Sequence, residues 1–383
     1  MDNKVFIVRC PDYEHVRDKM AELLALMDGM GRFVSAGERV VLKPNLLQPA
    51  KPEQAVTTHP AVVAAVGRLV KTEGARPLIA DSPGSGYPYT ERTLRRFYRT
   101  CGMQKVADEE NIELNLDTRY EHVAYPSGKL IKRFEVITPV LEADGVVNVC
   151  KLKTHLLMHM TGAVKNIFGV VPGLTKPGYH AKLRDKAQFA TMLLDLAEYV
   201  SPRLSIMDAV TSLEGDGPGA KGRPRHVGLL IAARNPLALD VVAGEIIGLK
   251  RAQNPPLIEA ENRGLYPTLL EEVELIGADI SEVRIPDYTL PATVTEGTGL
   301  GRFQWLSPLL KSGTSLKPRV IKDNCKACGS CRDSCPVQAI TIDDEKYAHI
   351  DGDKCIRCYC CHEMCPESAV ELHQSFLYRL VNR

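Results

Sequence analysis

The sequence predicts an α/β protein: a large domain with a mostly parallel sheet flanked by helices, followed by a small α+β module near the C-terminal end. Three observations carry this. Short apolar runs alternate with segments of helical period from Val5 onward, the rhythm of a doubly wound sheet. Polar residues follow several of these runs, at Lys43-Pro-Asn45, Asp81-Ser82 and Lys151-Leu-Lys153, where parallel strands deliver the chain to loops and sites usually form. Two copies of one cysteine pattern stand thirty residues apart between Cys325 and Pro366.

In chain order, Val5 to Val8 reads as a strand and Val16 to Met27 as a helix, with apolar residues at 16, 20, 23, 24 and 27. Glu38 to Leu42 is the next strand and runs into Lys43 and Asn45. Thr58 or His59 caps a helix from Ala61 to Glu73, with Pro60 in its first turn. Pro77 to Ala80 is a third strand, ending in Asp81-Ser-Pro-Gly-Ser-Gly86, a small polar turn whose backbone N–H groups could cradle an anion or merely join elements. Glu91 to Cys101 reads as a helix, and Ile112 to Leu116 and Phe134 to Ile137 as modest strands. Gly145 to Val149 is a buried strand that delivers Lys151, Lys153 and His155.

From Lys151 to Lys186 the chain carries seven Lys or Arg residues, three histidines and one acid, Asp185. Lys165 and Asn166 lie there among small and apolar residues, which predicts that they are held near a buried pocket. Glycine, proline and apolar residues interleave with the cations and no aromatic ladder accompanies them. A pocket for a carboxylate or phosphate therefore fits better than a nucleic-acid face. His155, His159 and His180 have separations that match no compact metal motif.

Beyond it, Asp185 to Val200 is helical, Leu204 to Met207 a strand, and Glu214 to Arg225 a polar loop suited to a divalent ion, a lid or a plain connection. Val227 to Ala233 is a further strand. Asn235-Pro236 starts a helix in which Asp240 sits among apolar residues, with one of the lysines as its expected partner. Pro255 to Gly264 reads as a helix, and Val273 to Ile276 and Val283 to Ile285 as the last strands of the large domain. The domains are set at 1–298 for the α/β part, 299–316 for an apolar connector, 317–372 for the cysteine module and 373–383 for an amphipathic tail.

The module's repeats read Cys325-x2-Cys328-x2-Cys331-x3-Cys335-Pro and Cys355-x2-Cys358-x2-Cys361-x3-Cys365-Pro. This is the two-cluster ferredoxin spacing, in which three thiolates hold one cubane and the fourth crosses to the other. Cys325, Cys328, Cys331 and Cys365 are thus expected on one [4Fe-4S] cluster, and Cys355, Cys358, Cys361 and Cys335 on a second. Paired zinc sites would need fewer cysteines. Cys360, beside a ligand, is expected to pack as a small apolar residue.

The chain has 383 residues, net charge +1 and 25% charged residues, which indicates no global nucleic-acid affinity. Only Cys10, Cys101 and Cys150 accompany the module and its neighbour Cys360, usage that fits a reducing compartment. No apolar leader or membrane-length run is visible. A cytoplasmic protein is expected, from an organism such as an anaerobe that can maintain low-potential clusters.

Several stretches together resemble one family, catalogued as domain of unknown function 362, in its form fused to a C-terminal two-cluster ferredoxin. They are Val41-Leu-Lys-Pro-Asn45, Thr58-His-Pro60, Asp81-Ser-Pro-Gly84, Asn148-Val-Cys-Lys-Leu-Lys-Thr-His155, Gly162-Ala-Val-Lys-Asn-Ile-Phe-Gly169 with Pro172-Gly173, and Glu214-Gly-Asp-Gly-Pro218. The resemblance implies a fold and a pocket but no reaction. A more distant similarity to lactate racemase-type proteins transfers no catalytic residue.

The leading functional expectation is an iron–sulfur electron-transfer protein with a redox partner protein and, in its large domain, a pocket for a small anionic ligand. The alternatives are a reductase that passes electrons to an anion held by Lys43, Asn45, Asp81, Ser82, Lys151, Lys153, His155, Lys165 and Asn166, and a non-redox ligand-binding protein. Whether the chain is an enzyme is left open. No nucleic-acid or membrane partner is expected, and the apolar connector and tail offer surface for a homodimer.

Overall fold

A computed structural model describes residues 3–295, 316–343 and 346–373. The predicted tail lies outside these residues except for its first, His373, and so does the connector except for Leu316. Strands β1 (Lys4–Arg9), β2 (Arg39–Lys43), β3 (Arg76–Ile79), β4 (Glu113–Leu114), β5 (Tyr120–Ala124), β6 (Arg133–Ile137), β7 (Gly145–His155), β8 (His159–Met160), β9 (Leu204–Glu214), β10 (Arg223–Ala233) and β11 (Glu274–Gly277) belong to the large domain. The main sheet runs β11-β1-β10-β9-β7-β2-β3-β4, with β8 attached to β7 and β5-β6 forming a separate hairpin. Along that path only β10 opposes its neighbours.

Alternation along the strands divides the core into layers. In β1, Phe6 and Val8 face one apolar cluster and Val5 and Ile7 another; in β2, Val40 and Leu42 oppose Val41 in the same way. One face is covered by the helices Val16–Ala25, Pro60–Thr72 and Glu91–Thr100, the other by Lys186–Val200, Pro236–Ile246 and Pro255–Asn262. Their starts are built as the sequence predicts. His59 accepts from the Ala61 amide with Pro60 in the first turn, and Asp185 accepts from the Ala187 amide at 2.8 Å.

From β2 the chain moves outward through β3 to β4, then returns to place β7 on the other side of β2. The carboxyl ends of β2 and β7 therefore flank the point where winding reverses, the position at which open α/β sheets hold ligands.

Several readings of the sequence are corrected. The strand from Gly145 continues to His155, because Lys151 and Asp208 are direct cross-strand partners and neutralise each other at 2.8 Å with both side chains fully buried. The strand from Leu204 continues to Glu214, and the next begins at Arg223, so the polar loop is the tip of a hairpin whose register pairs Arg223 with Glu214. Val283 closes a short helix, Ile280–Val283, instead of opening a strand. Asp240 finds no lysine. It accepts from the Ala163 and Val164 amides at the start of the helix Gly162–Asn166, while burial raises its pKa to about 7. Gly162 permits this closeness, since its φ is +59° and a side chain there would strike the Asp240 carboxylate.

The Lys151–Asp208 pair also holds the N-terminal region. Tyr13 donates to Asp208 at 3.1 Å and accepts from Lys151 at 3.1 Å, its ring stacks on His59 at 3.5 Å, and the His59 amide donates to Asp208 at 2.9 Å. Lys151→Met leaves a buried carboxylate without its cation, so urea unfolding of that variant is expected to show a loss of about 3–5 kcal/mol, partly recovered when Asp208 is also replaced by Asn, which removes the charge and keeps an acceptor for Tyr13 and the His59 amide.

Candidate functional site

The module that follows the large domain repeats its backbone as well as its cysteines. Positive φ recurs at a thirty-residue offset in Ala327 and Arg357, Gly329 and Tyr359, and Gln338 and Ser368. The amides of Ala339 and Ala369 each donate to a sulfur, Cys335 and Cys365, at 3.2 Å. Strands β12 (Lys317–Val320), β13 (Ile340–Ile342), β14 (Ala348–Ile350) and β15 (Val370–His373) pair as β12-β15 and β13-β14.

Two cavities open inside this module. Cys325, Cys328, Cys331 and Cys365 line one, and Cys335, Cys355, Cys358 and Cys361 line the other. These are the two crossed ligand sets that the spacing predicts. Among the described residues no three His, Cys, Asp or Glu side chains close on one point as a single metal ion would require. Cys360 is fully buried and lines neither cavity.

The other concentration of chemistry lies at the winding reversal. Lys43, at the end of β2, donates to Asp81 at 2.8 Å, and Asp81 also accepts from the Leu46 amide at 2.8 Å. Gly169 makes room for this pair, since a methyl group there would collide with both charged groups. Lys153 donates to Asn45 at 2.8 Å and to the Val56 carbonyl at 2.6 Å. Asn45 in turn donates to Asn166 at 2.9 Å, and Asn166 to Asn148 at 2.7 Å. Lys176 donates to the carbonyls of Ser82 and Pro83.

These groups border a cavity of about 50 Å³, enough for a ligand of a few heavy atoms. Lys43, Asn45, Asp81, Ser82, Lys153, Lys165 and Asn166 line it, as does Glu363. Two residues singled out in the sequence do not: Lys151 is committed to Asp208, and His155 stands behind Glu363. His159, which the sequence grouped with His155 and His180, turns away to the Gln253 carbonyl. Asp216, in the hairpin tip, is occupied by the Ala292 amide at 2.9 Å.

Four buried polar atoms in the lining make no hydrogen bond among the described residues: Ser82 Oγ, Thr161 Oγ1, His180 Nδ1 and Glu363 Oε1, the last within ion-pair distance of His155. The half-buried Lys165 side chain makes no hydrogen bond or ion pair among them either. A buried polar atom without a partner costs about 1–3 kcal/mol, so several at one cavity single it out as the candidate site among the described residues. A larger cavity of about 880 Å³ lies at the opposite edge of the sheet, near Phe33, Arg203 and Arg234, but none of these unpartnered atoms lines it.

Charge in the pocket is unbalanced toward positive. Burial, then the neighbouring Lys165, pulls Lys153 well below the ordinary lysine range; burial depresses Lys165 too, and brings Lys176 to about 7. His180 falls to about 3 through burial and then Lys165, and it stacks on Phe189 at 4.5 Å. His155 accepts from the Leu157 and Met158 amides on Nδ1, which places its proton on Nε2. That nitrogen lies 3.1 Å from Glu363 Oε1, out of line for a hydrogen bond.

Glu363 comes from the cysteine module. It sits on the helix Cys360–Met364, between Cys361 of one set and Cys365 of the other, and burial raises its pKa to about 7 against the opposing pull of Lys165 and Lys153. The module thus closes the pocket of the large domain. Sequence reading did not single out Glu363, Thr161, Lys176 or His180 as ligand candidates. Glu363 had the weakest signal, because the first repeat carries an acid at the same place, Asp333, which is exposed.

Residues 40–245 match the family described as domain of unknown function (DUF362), and residues 324–369 match the 4Fe-4S dicluster domain. The chain is 36% identical over 274 residues to the thylakoid-associated protein sll1697 of Synechocystis sp., covering 71% of this chain and 83% of that protein. It is 57% identical over 28 residues to a ferredoxin of Acetoanaerobium sticklandii, 7% of this chain and 50% of the ferredoxin. The lactate racemase apoprotein of Thermoanaerobacterium thermosaccharolyticum aligns over 65% of this chain and 58% of its own, at 12% identity and a TM-score of 0.41. Among the described residues no helix is long and apolar enough to cross a membrane.

Gly169→Ala is expected to force the Lys43–Asp81 pair apart, lowering stability by about 1–3 kcal/mol in thermal or urea unfolding and weakening any ligand that stabilises the parent protein.

Proposed function

The chain belongs to the DUF362 family and is an iron–sulfur protein, and on that premise we propose that it is an electron-transfer protein with two [4Fe-4S] clusters and a small-anion pocket beside them. Cys325, Cys328, Cys331 and Cys365 would hold one cluster, and Cys355, Cys358, Cys361 and Cys335 the other. When bound, such clusters accept and release single electrons. The amides of Ala339 and Ala369 stabilise electron density on the Cys335 and Cys365 sulfurs, one hydrogen bond in each crossed position.

The observation that carries the pocket is the set of unpartnered polar atoms around one cavity, with Glu363 of the cysteine helix in its wall. Lys165 supplies the unpaired positive charge, Ser82 and Thr161 supply hydroxyls, and Glu363 Oε1 offers an acceptor to a ligand proton. A carboxylate or small oxyanion bearing a hydroxyl satisfies this set. Lys43, Lys153 and Lys176 hold the walls through their own partners and add to the positive field. Because Glu363 stands two residues from Cys361 and two from Cys365, a ligand here would lie next to both cysteine sets. That juxtaposition favours a ligand that exchanges electrons with the protein, or modulates their exchange, over an unrelated binding function.

The test is anaerobic purification with iron and sulfide counting, then calorimetric titration with formate, acetate, lactate and inorganic phosphate. About eight irons per chain, with at least one anion bound by the parent and lost in Lys165→Met, is the expected result. Zinc in place of iron, or no anion binding in an iron-replete protein, overturns the corresponding half of the proposal.

The pH dependence has a definite sign. The Lys176 pKa is lowered to about 7, and an anion favours its protonated form, so binding draws a proton onto it. Affinity is expected to be full below pH 7 and to fall above it, because Lys176 loses its proton and Glu363, raised to about 7, gains negative charge over the same range; Lys176→Met with Glu363→Gln is expected to flatten the profile.

A further inference from the structure

The cysteines differ in their access to solvent. Cys328 is exposed, whereas Cys331, Cys361 and Cys365 are buried. Cys328 is thus the solvent-facing member of its set, and the helix that follows it, Ser330–Asp333, ends against the large domain beside Tyr87. The preceding residue, Gly86, lies so close to Ser334 that a side chain on it would meet the Ser334 Cβ at 2.9 Å. The Tyr87 ring packs edge-on against Phe97 at 5.1 Å. Its hydroxyl is also close enough to feel both the Arg96 guanidinium and the Cys328 thiol.

Phe97 belongs to the helix Glu91–Thr100, whose inner face is Leu94, Phe97 and Tyr98 and whose outer face is Arg92, Arg95, Arg96 and Arg99, all exposed. Spacings of three and four residues align these arginines in one stripe. Arg95 is tied to Glu91, but among the described residues Arg92 and Arg96 have neither an ion pair nor a side-chain hydrogen bond. Exposed Lys326, two residues before Cys328, is also unpaired among them. The neighbouring Asp333 is occupied by Arg332, and Glu367 is the one carboxylate lining the same cysteine cavity as Lys326. Set against Glu367, the cations Arg92, Arg96 and Lys326 still leave a local excess of positive charge near the exposed Cys328, in a chain whose net charge is only +1.

We propose that the Arg92–Arg96 stripe with Lys326 is the docking face for an acidic one-electron carrier protein, seated so that its redox centre approaches Cys328. Charge complementarity selects the occupant: unpaired guanidinium groups steer an acidic surface, and they match carboxylates without first breaking ion pairs of their own. One electron leaves the carrier and one is gained by this protein; no bond or proton changes place. The inference names the partner for the electron-transfer reading above and rests on it, but it makes no use of the anion pocket.

The test uses the full-length, iron-loaded protein and a flavodoxin of strongly negative net charge as probe. Binding is measured by calorimetry at about 0.01 M and about 1 M salt, where charges are screened beyond about 30 Å and about 3 Å. Arg92→Glu/Arg96→Glu is expected to weaken binding about tenfold or more at low salt and to change little at high salt. Reduction by the flavodoxin should slow in parallel, while reduction by dithionite stays as in the parent. Lys326→Glu repeats the test without touching the helix. Equal binding by parent and variants, in samples of equal iron content, overturns the docking face alone; a protein that takes up no iron overturns the premise and the face with it. If the variants lose attachment to phosphatidylglycerol vesicles but keep flavodoxin binding, the face belongs to a membrane and the proposal fails.

Discussion

The constraint on which the structure turns is the cost of placing lysine ammonium groups inside a protein. Lys43, Lys151, Lys153 and Lys176 are all nearly inaccessible to solvent, and a buried charge persists only when paired or hydrogen-bonded. The chain meets this demand group by group: Asp81 for Lys43, Asp208 for Lys151, Asn45 and a carbonyl for Lys153, two carbonyls for Lys176. Lys165 alone of the pocket lysines is left without such a partner among the described residues. The only carboxylates in the pocket wall are Asp81, already bound to Lys43, and Glu363 from the other module. Fold and module docking therefore share one electrostatic cause, and the proposed anion pocket follows from the same cause.

This arrangement joins two parts that the sequence presents as separate. In a doubly wound sheet the reversal of winding leaves a crevice at the carboxyl edge, and here the helix Cys360–Met364, which bears Cys361 and is followed by Cys365, stands at its mouth. Gly219 and Gly84 mark how close the approach is, since a side chain on Gly219 would collide with the Glu363 backbone and one on Gly84 would press on the Met364 side chain at 3.2 Å. The proposed binding crevice and the cysteine sites thereby adjoin one another. By linkage, whatever one does to the other must be reciprocated.

Much of this was legible in the residues. The alternation of strand and helix, the cysteine spacing, and the polar groups after β2 and β3 all lead to features the structure contains. The failures have a common origin. Lys151 and Lys153 read as loop residues because a lysine in a buried strand is costly, and only their distant partners Asp208, Asn45 and Val56 make it tolerable. Asp240 invited a lysine, yet two backbone amides meet it, and a sequence does not display amides. Glu363 was hidden by its setting: beside cluster-type cysteines an acid reads as surface, as its counterpart Asp333 is.

The central claim is that the pocket and the cysteine sites adjoin one another across the Cys360–Met364 helix. Electron–nuclear double resonance on the anaerobically reduced protein, with ¹³C-formate or phosphate bound at a calorimetrically verified site, tests it directly. The account predicts a dipolar coupling between the ligand nucleus and the cluster spin, abolished by Lys165→Met. A bound anion that shows no coupling in an iron-replete, reduced sample would contradict it.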